Sequence, residues 1–120
     1  MIWAASPGSA IGRFRLTETG KPVEAYQTRS DDIRCFADSF EPSHFPLLVA
    51  SKAVIGVRCG GMTGHLAVVC RGLGKPLVLL GADLQSPEGS VIGVDGSAGC
   101  VYPDMDVDDV LAYHRQGLWV

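Results

Sequence analysis

Aromatic residues make up only 8% of these 120 residues and charged ones only 19%. The charges nearly cancel, ten Lys and Arg against thirteen Asp and Glu, which excludes the basic footprint of a nucleic-acid-binding protein. No uninterrupted apolar stretch reaches the ~18 residues that span a bilayer, so no membrane segment is expected. The opening Met1-Ile2-Trp3-Ala4-Ala5-Ser6-Pro7 lacks a basic n-region. A signal peptide is therefore not expected, and the cytoplasm is the expected location. Cys35, Cys59, Cys70 and Cys100 include no C-x-x-C pair, which argues against a zinc knuckle. Reduced thiols and no metal site are expected. The segment Gly72-Leu73-Gly74-Lys75 is not a phosphate-binding P-loop, because Val69 stands at the first glycine position and Pro76 follows the lysine. Asp104-x-Asp106-x-Asp108 opens like a calcium loop but has Arg115 where the bidentate Glu belongs. His44 and His114 have no acid or metal partner at recognisable spacing and read as structural or surface residues.

What the chain does have is concentrated in one run, Gly60-Gly61-Met62-Thr63-Gly64-His65-Leu66-Ala67-Val68-Val69-Cys70-Arg71-Gly72-Leu73-Gly74-Lys75-Pro76. Leu66, Val69, Cys70 and Leu73 recur at the spacing of one buried helical face, predicting a helix from about Thr63 to Leu73. Gly74 stands where a left-handed cap is wanted, and Pro76 cannot continue the helix. His65 is thus placed at a helix start, where free N–H groups and the helix dipole favour a phosphate. A neutral imidazole is a good nucleophile near pH 7 and a good leaving group, so it suits transient phosphorylation.

This run resembles the signature of the mobile phosphohistidine domain of phosphoenolpyruvate-utilising enzymes, a group that includes pyruvate phosphate dikinase and phosphoenolpyruvate synthase. Two further stretches carry the resemblance in family order. Ala5-Ser6-Pro7-Gly8-Ser9-Ala10-Ile11-Gly12 is similar to the family's opening, and Val94-Asp95-Gly96-Ser97-Ala98-Gly99-Cys100-Val101 to its closing motif. The chain departs from the pattern at Gly64, where the family has serine, at the bulkier Leu66, and at Thr28-Arg29-Ser30-Asp31-Asp32, which lacks a proline. These departures mark a divergent member.

The resemblance implies an α/β fold: a swivelling β/β/α domain of short sheets with packed helices over residues 1–103, followed by a helical tail over 104–120. It implies that His65 carries a phosphoryl group, with Gly60, Gly61, Thr63, Gly64 and Arg71 as phosphate-binding candidates. Thr63 also matches a regulatory phosphorylation position of dikinases, and it equally suits an N-cap. Arg71 lies six residues after His65, off its helical face, and reads equally as a helix-end residue. The chain itself is expected to bind no cofactor; magnesium with ATP or phosphoenolpyruvate would sit on partner domains. At 120 residues there is no room for a barrel of roughly 250 residues, so turnover needs partners. These are an ATP-grasp-type nucleotide-binding protein and a phosphoryl acceptor. Met1 favours a separate carrier subunit over a domain of a longer chain. The alternative is a non-catalytic binding or scaffold module with the same fold. The tail, with its acids in front and Val107, Val110 and Leu111 on one side, either packs on its own domain or docks on a partner or a second copy.

Elsewhere, alternation predicts strands in residues 1–28, including 12–17 and 23–28. Ser30-Asp31-Asp32 predicts the N-cap of a short helix reaching Ser39. A helical turn or buried run is expected at Phe45–Ala50. Further strands are expected at 52–58, 77–80, 89–94 and 100–102, the last two around an Asp-Gly turn.

Overall fold

The computed structural model describes residues 2–18, 20–27, 29–59 and 64–103. The strands are β1 (Ile2–Ser6), β2 (Ser9–Thr17), β3 (Asp32–Ala37), β4 (Ala53–Val57), β5 (Leu77–Leu80), β6 (Val91–Asp95) and β7 (Cys100–Tyr102). The helices are α1 (Phe45–Ala50) and α2 (His65–Leu73). The expected short strands join in one seven-stranded sheet of order β1-β5-β4-β3-β2-β6-β7. Strands β2, β3, β4 and β5 run parallel, while β1 and β6 flank them antiparallel and β7 pairs with β6.

Strand alternation sends side chains to two faces, and the two faces build two cores. On one face Phe14, Ile33, Ile55, Val78 and Ile92 pack together. The sheet curls so that β6 lies against β4 and β5 across this core. On the other face Phe36, Val54, Leu77 and Leu79 meet Leu66, Ala67 and Cys70 of α2 and Leu48 of α1. The result is an α/β molecule layered as curled sheet on sheet, with the helices on one outer face.

Two local expectations are overturned. Residues 32–37 form β3, not a helix, because β3 is hydrogen-bonded between β2 and β4 and is buried from Asp32 to Phe36. Asp32 does not act as a helix cap; its Oδ2 accepts the Arg29 N–H at 3.0 Å. Residues Val23–Ala25 form a single 3-10 turn rather than a strand, held by the Ala25 N–H to the Pro22 carbonyl. The tail 104–120, and with it the two-part division of the chain, lies outside the described residues.

The two outer motifs meet in space. The Gly96 N–H donates to the Gly8 carbonyl at 2.7 Å, and the Gly8 N–H donates to Ser97 Oγ at 2.9 Å. A Cβ on Gly96 would fall 1.9 Å from the Ser6 carbonyl oxygen, so only glycine permits this closure. Gly8 also abuts the ring of Pro76, just after α2. These motifs therefore close the sheet at the amino ends of the parallel strands.

Candidate functional site

The segment β4–α2–β5 is a crossover between neighbouring parallel strands. It places the N-terminus of α2 at the carboxyl ends of the strands, opposite the motif junction. The helix begins at His65, two residues later than the periodicity predicts. Gly64 is the N-cap, with extended backbone and no side chain to satisfy the helix amides. The first intrahelical bond runs from the Val68 N–H to the Gly64 carbonyl at 3.1 Å. The amides of residues 65–67 therefore have no partner within the helix and suit an anion. At the far end Gly74 is left-handed at φ 69°, and the Lys75 N–H reaches the Cys70 carbonyl at 2.9 Å. This is the glycine-terminated end the sequence predicts.

The imidazole of His65 is exposed. Its described ring neighbour is Phe40, stacked with centroids 5.8 Å apart and planes 26° from parallel. Phe40 in turn meets Phe36 of β3 edge-on at 5.0 Å. The core of the helix face thus reaches the histidine through two aromatic rings. Among the described residues no acidic side chain pairs with His65. Phe40 is a neighbour that sequence reasoning missed; it lies 25 positions from His65, and no local spacing announces it.

The buried stripe of α2 is displaced from the expected one. Leu66, Ala67 and Cys70 are buried and Val69 is half-buried, but Leu73 is 45% exposed. Leu73 is absent from the helix-face core that Leu66, Ala67 and Cys70 join. Burial pushes the Cys70 thiol up to about 12, which makes it an inert core thiol. Leu66, bulkier than the family residue, is accommodated by Gly56 of β4. A Cβ on Gly56 would lie 2.8 Å from both Leu66 Cδ2 and Leu79 Cδ2. Gly56→Ala should therefore push α2 from the sheet and cost about 1–3 kcal/mol in urea unfolding. An unchanged midpoint would show that the helix does not ride this close.

Of the expected phosphate-binding residues, Gly60, Gly61 and Thr63 lie outside the described residues. Gly64 adjoins His65 as the cap. Arg71 is carried away from it by the helix, and its Nη1 donates to the Ala5 carbonyl at 3.1 Å, tying α2 to β1. At the strand ends Arg58 (φ 54°) bridges Asp38 (φ 70°) at 2.7 Å and Asp83 at 2.9 Å. These two left-handed residues have no sequence signal, and the ion pairs join the turns after β3, β4 and β5. His44 is buried rather than superficial: its Nε2 lies 2.6 Å from the Lys21 carbonyl, with Glu41 at 3.9 Å.

Comparisons with known proteins agree with this geometry. The family model "PEP-utilising enzyme, mobile domain" matches residues 35–99. Pyruvate, phosphate dikinase of Entamoeba histolytica is 32% identical over 113 residues, covering 82% of this chain. Phosphoenolpyruvate synthase of Aeropyrum pernix is 33% identical over 100 residues, again covering 82%. The chain spans 12% of the length of each. Among solved structures, the N-terminal domain of Enzyme 1 - Nitrogen shares the fold at a TM-score of 0.52 and 24% identity, over 80% of this chain and 40% of that one. A UPF0107 protein does so at 0.61 and 19% identity, over 86% and 98%. With the three sequence motifs in order and a histidine opening the crossover helix, the chain belongs to the mobile-domain family of PEP-utilising enzymes.

Proposed function

We propose that this domain carries a phosphoryl group on His65 between a donor site and an acceptor site on partner domains. The observation that carries this reading is the exposed imidazole on the first residue of a helix whose N-terminus has no side-chain cap. The lone pair of an unprotonated ring nitrogen attacks phosphorus. An N–P bond forms as the P–O bond to the donor breaks, and that electron pair leaves with the donor oxygen. Transfer to the acceptor reverses these events. The amides of residues 65–67 would stabilise the phosphoryl charge. Gly60, Gly61 and Thr63 would line the group, with Thr63 also open to regulatory phosphorylation. A phosphate role for Arg71 rests on the family pattern, while its bond to Ala5 supports an anchoring role. Magnesium with ATP or phosphoenolpyruvate would reside on the partners, one of them of the ATP-grasp type.

Phe40 fixes the plane of the imidazole and leaves its edge, where the ring nitrogens lie, for reaction. Phe40→Ala should slow labelling about 2- to 10-fold, the equivalent of an aromatic pair worth ~0.5–1.5 kcal/mol, and Phe40→Tyr should restore it. Equal rates in all three would remove Phe40 from the mechanism.

The test of the function is phosphoryl transfer itself. The chain is incubated with dikinase-type partner domains and either ATP or phosphoenolpyruvate, and the label is mapped under alkaline conditions. A label on His65 is the expected result. Its absence with every donor would favour the non-catalytic module.

A further inference from the structure

A cavity of about 220 Å³ opens between β2, β3 and the segment carrying the Val23–Ala25 turn. Arg15, Arg29, Arg34, Asp32, Glu88 and Tyr26 line it, and none of its lining residues belongs to α2 or to the connection before it. Asp32 and Arg34 are 1% and 2% exposed. They share the helix-bearing face with Phe36 by strand alternation.

Asp32 is thoroughly satisfied. It accepts from Arg15 Nε at 3.2 Å and from the Arg29 N–H at 3.0 Å, with Arg34 Nη2 at 3.6 Å. Glu88 adds a second acid, 3.5 Å from Arg15 Nη1. Arg34 is not satisfied. Its Nη2 donates to the Gln27 carbonyl at 3.3 Å, and its guanidinium lies over the Tyr26 ring at 5.4 Å. Its Nε–H, fully buried, has no partner among the described residues. Burial pulls the Arg34 pKa down, with Asp32 opposing the fall. A buried donor left without an acceptor is costly, and Arg34 lines a cavity large enough to hold one. Three guanidinium groups against two carboxylates leave room for one negative charge.

We propose that this cavity binds a small oxyanion, a phosphate or carboxylate group, free or on a molecule of a few heavy atoms. Arg34 Nε–H is the buried donor. Arg29, exposed at the rim, closes on the anion from outside, and Asp32 holds the arginines in place. This site is distinct from the one proposed at His65 and does not depend on it.

The test uses the full chain carrying His65→Ala, which separates the two proposed anion sites. Inorganic phosphate and acetate are titrated separately while the arginine Nε–H and backbone amide resonances are followed by NMR. Saturable shifts of Arg34 Nε–H and of the amides of residues 25–27 with either anion are expected, and the anion that saturates identifies the preferred group. Arg29→Ala should weaken binding by roughly tenfold or more, the loss of one charged hydrogen bond. Arg13→Ala, whose Nη1 is bound to the Gly89 carbonyl, should not. Shifts that rise linearly with both anions, saturable shifts confined to residues 64–67, or an Arg29→Ala chain that binds like its parent would each overturn the proposal.

Discussion

His65→Ala is expected to stay folded and to lose its phosphoryl label completely. The side chain is exposed, and alanine is a better helix former than histidine, so α2 should survive the change. The substitution removes the stack on Phe40, a partly exposed interaction at the helix start. Among the described residues the chemistry, by contrast, has no substitute: the other described histidine, His44, is buried with its Nε2 on the Lys21 carbonyl. The wild-type label should be labile in acid and stable in base, as befits an N–P bond, and circular dichroism should show an unchanged fold in the variant. A variant labelled to the wild-type level would place the phosphoryl group elsewhere, with Thr63 the first alternative. Loss of the label with a retained fold would also exclude the scaffold reading, because a dead module would give no label to lose.

Truncating two leucines of the same helix should give opposite results. Leu66 is 1% exposed and sits among Gly56, Leu79 and the rest of the helix-face core. Leu66→Ala should cost about 2–5 kcal/mol, the transfer energy of the removed carbons plus the cavity they leave. Leu73 is 45% exposed, and Leu73→Ala should cost less than about 1 kcal/mol. Urea unfolding of both variants reads the difference directly. Equal losses would mean that the last turn of α2 is packed after all, and that the buried stripe follows the sequence periodicity. Because His65 is the neighbour of Leu66, a loosened helix start should also slow labelling in the Leu66 variant.

Short-range features were legible in the residues alone. Gly74 and Pro76 end α2 by local backbone geometry, and the structure has Gly74 left-handed as that requires. The apolar run Leu77–Leu80 is a buried strand, and Val91–Asp95 with Cys100–Tyr102 forms the expected hairpin, because each is decided by neighbours in sequence. The family, the fold class and His65 at the helix start were likewise readable from three motifs.

Long-range pairing decided the rest. Ser30-Asp31-Asp32 has the composition of a helix cap, yet two parallel neighbours capture residues 32–37 as a strand, since backbone bonds to both sides outweigh a local preference. Leu73 continues the apolar period yet stays 45% exposed, outside the core that buries Leu66 and Cys70. The Phe40 stack and the unpartnered Arg34 Nε arise only when distant segments meet, and neither position carries a local mark. That His65 stands at a helix start and that Gly74 ends the helix followed from the residues themselves, because local spacing and backbone freedom decide both. What lies against that histidine, and where a buried charge is left wanting a partner, emerged only from the folded chain, because both depend on which strands the curled sheet brings side by side.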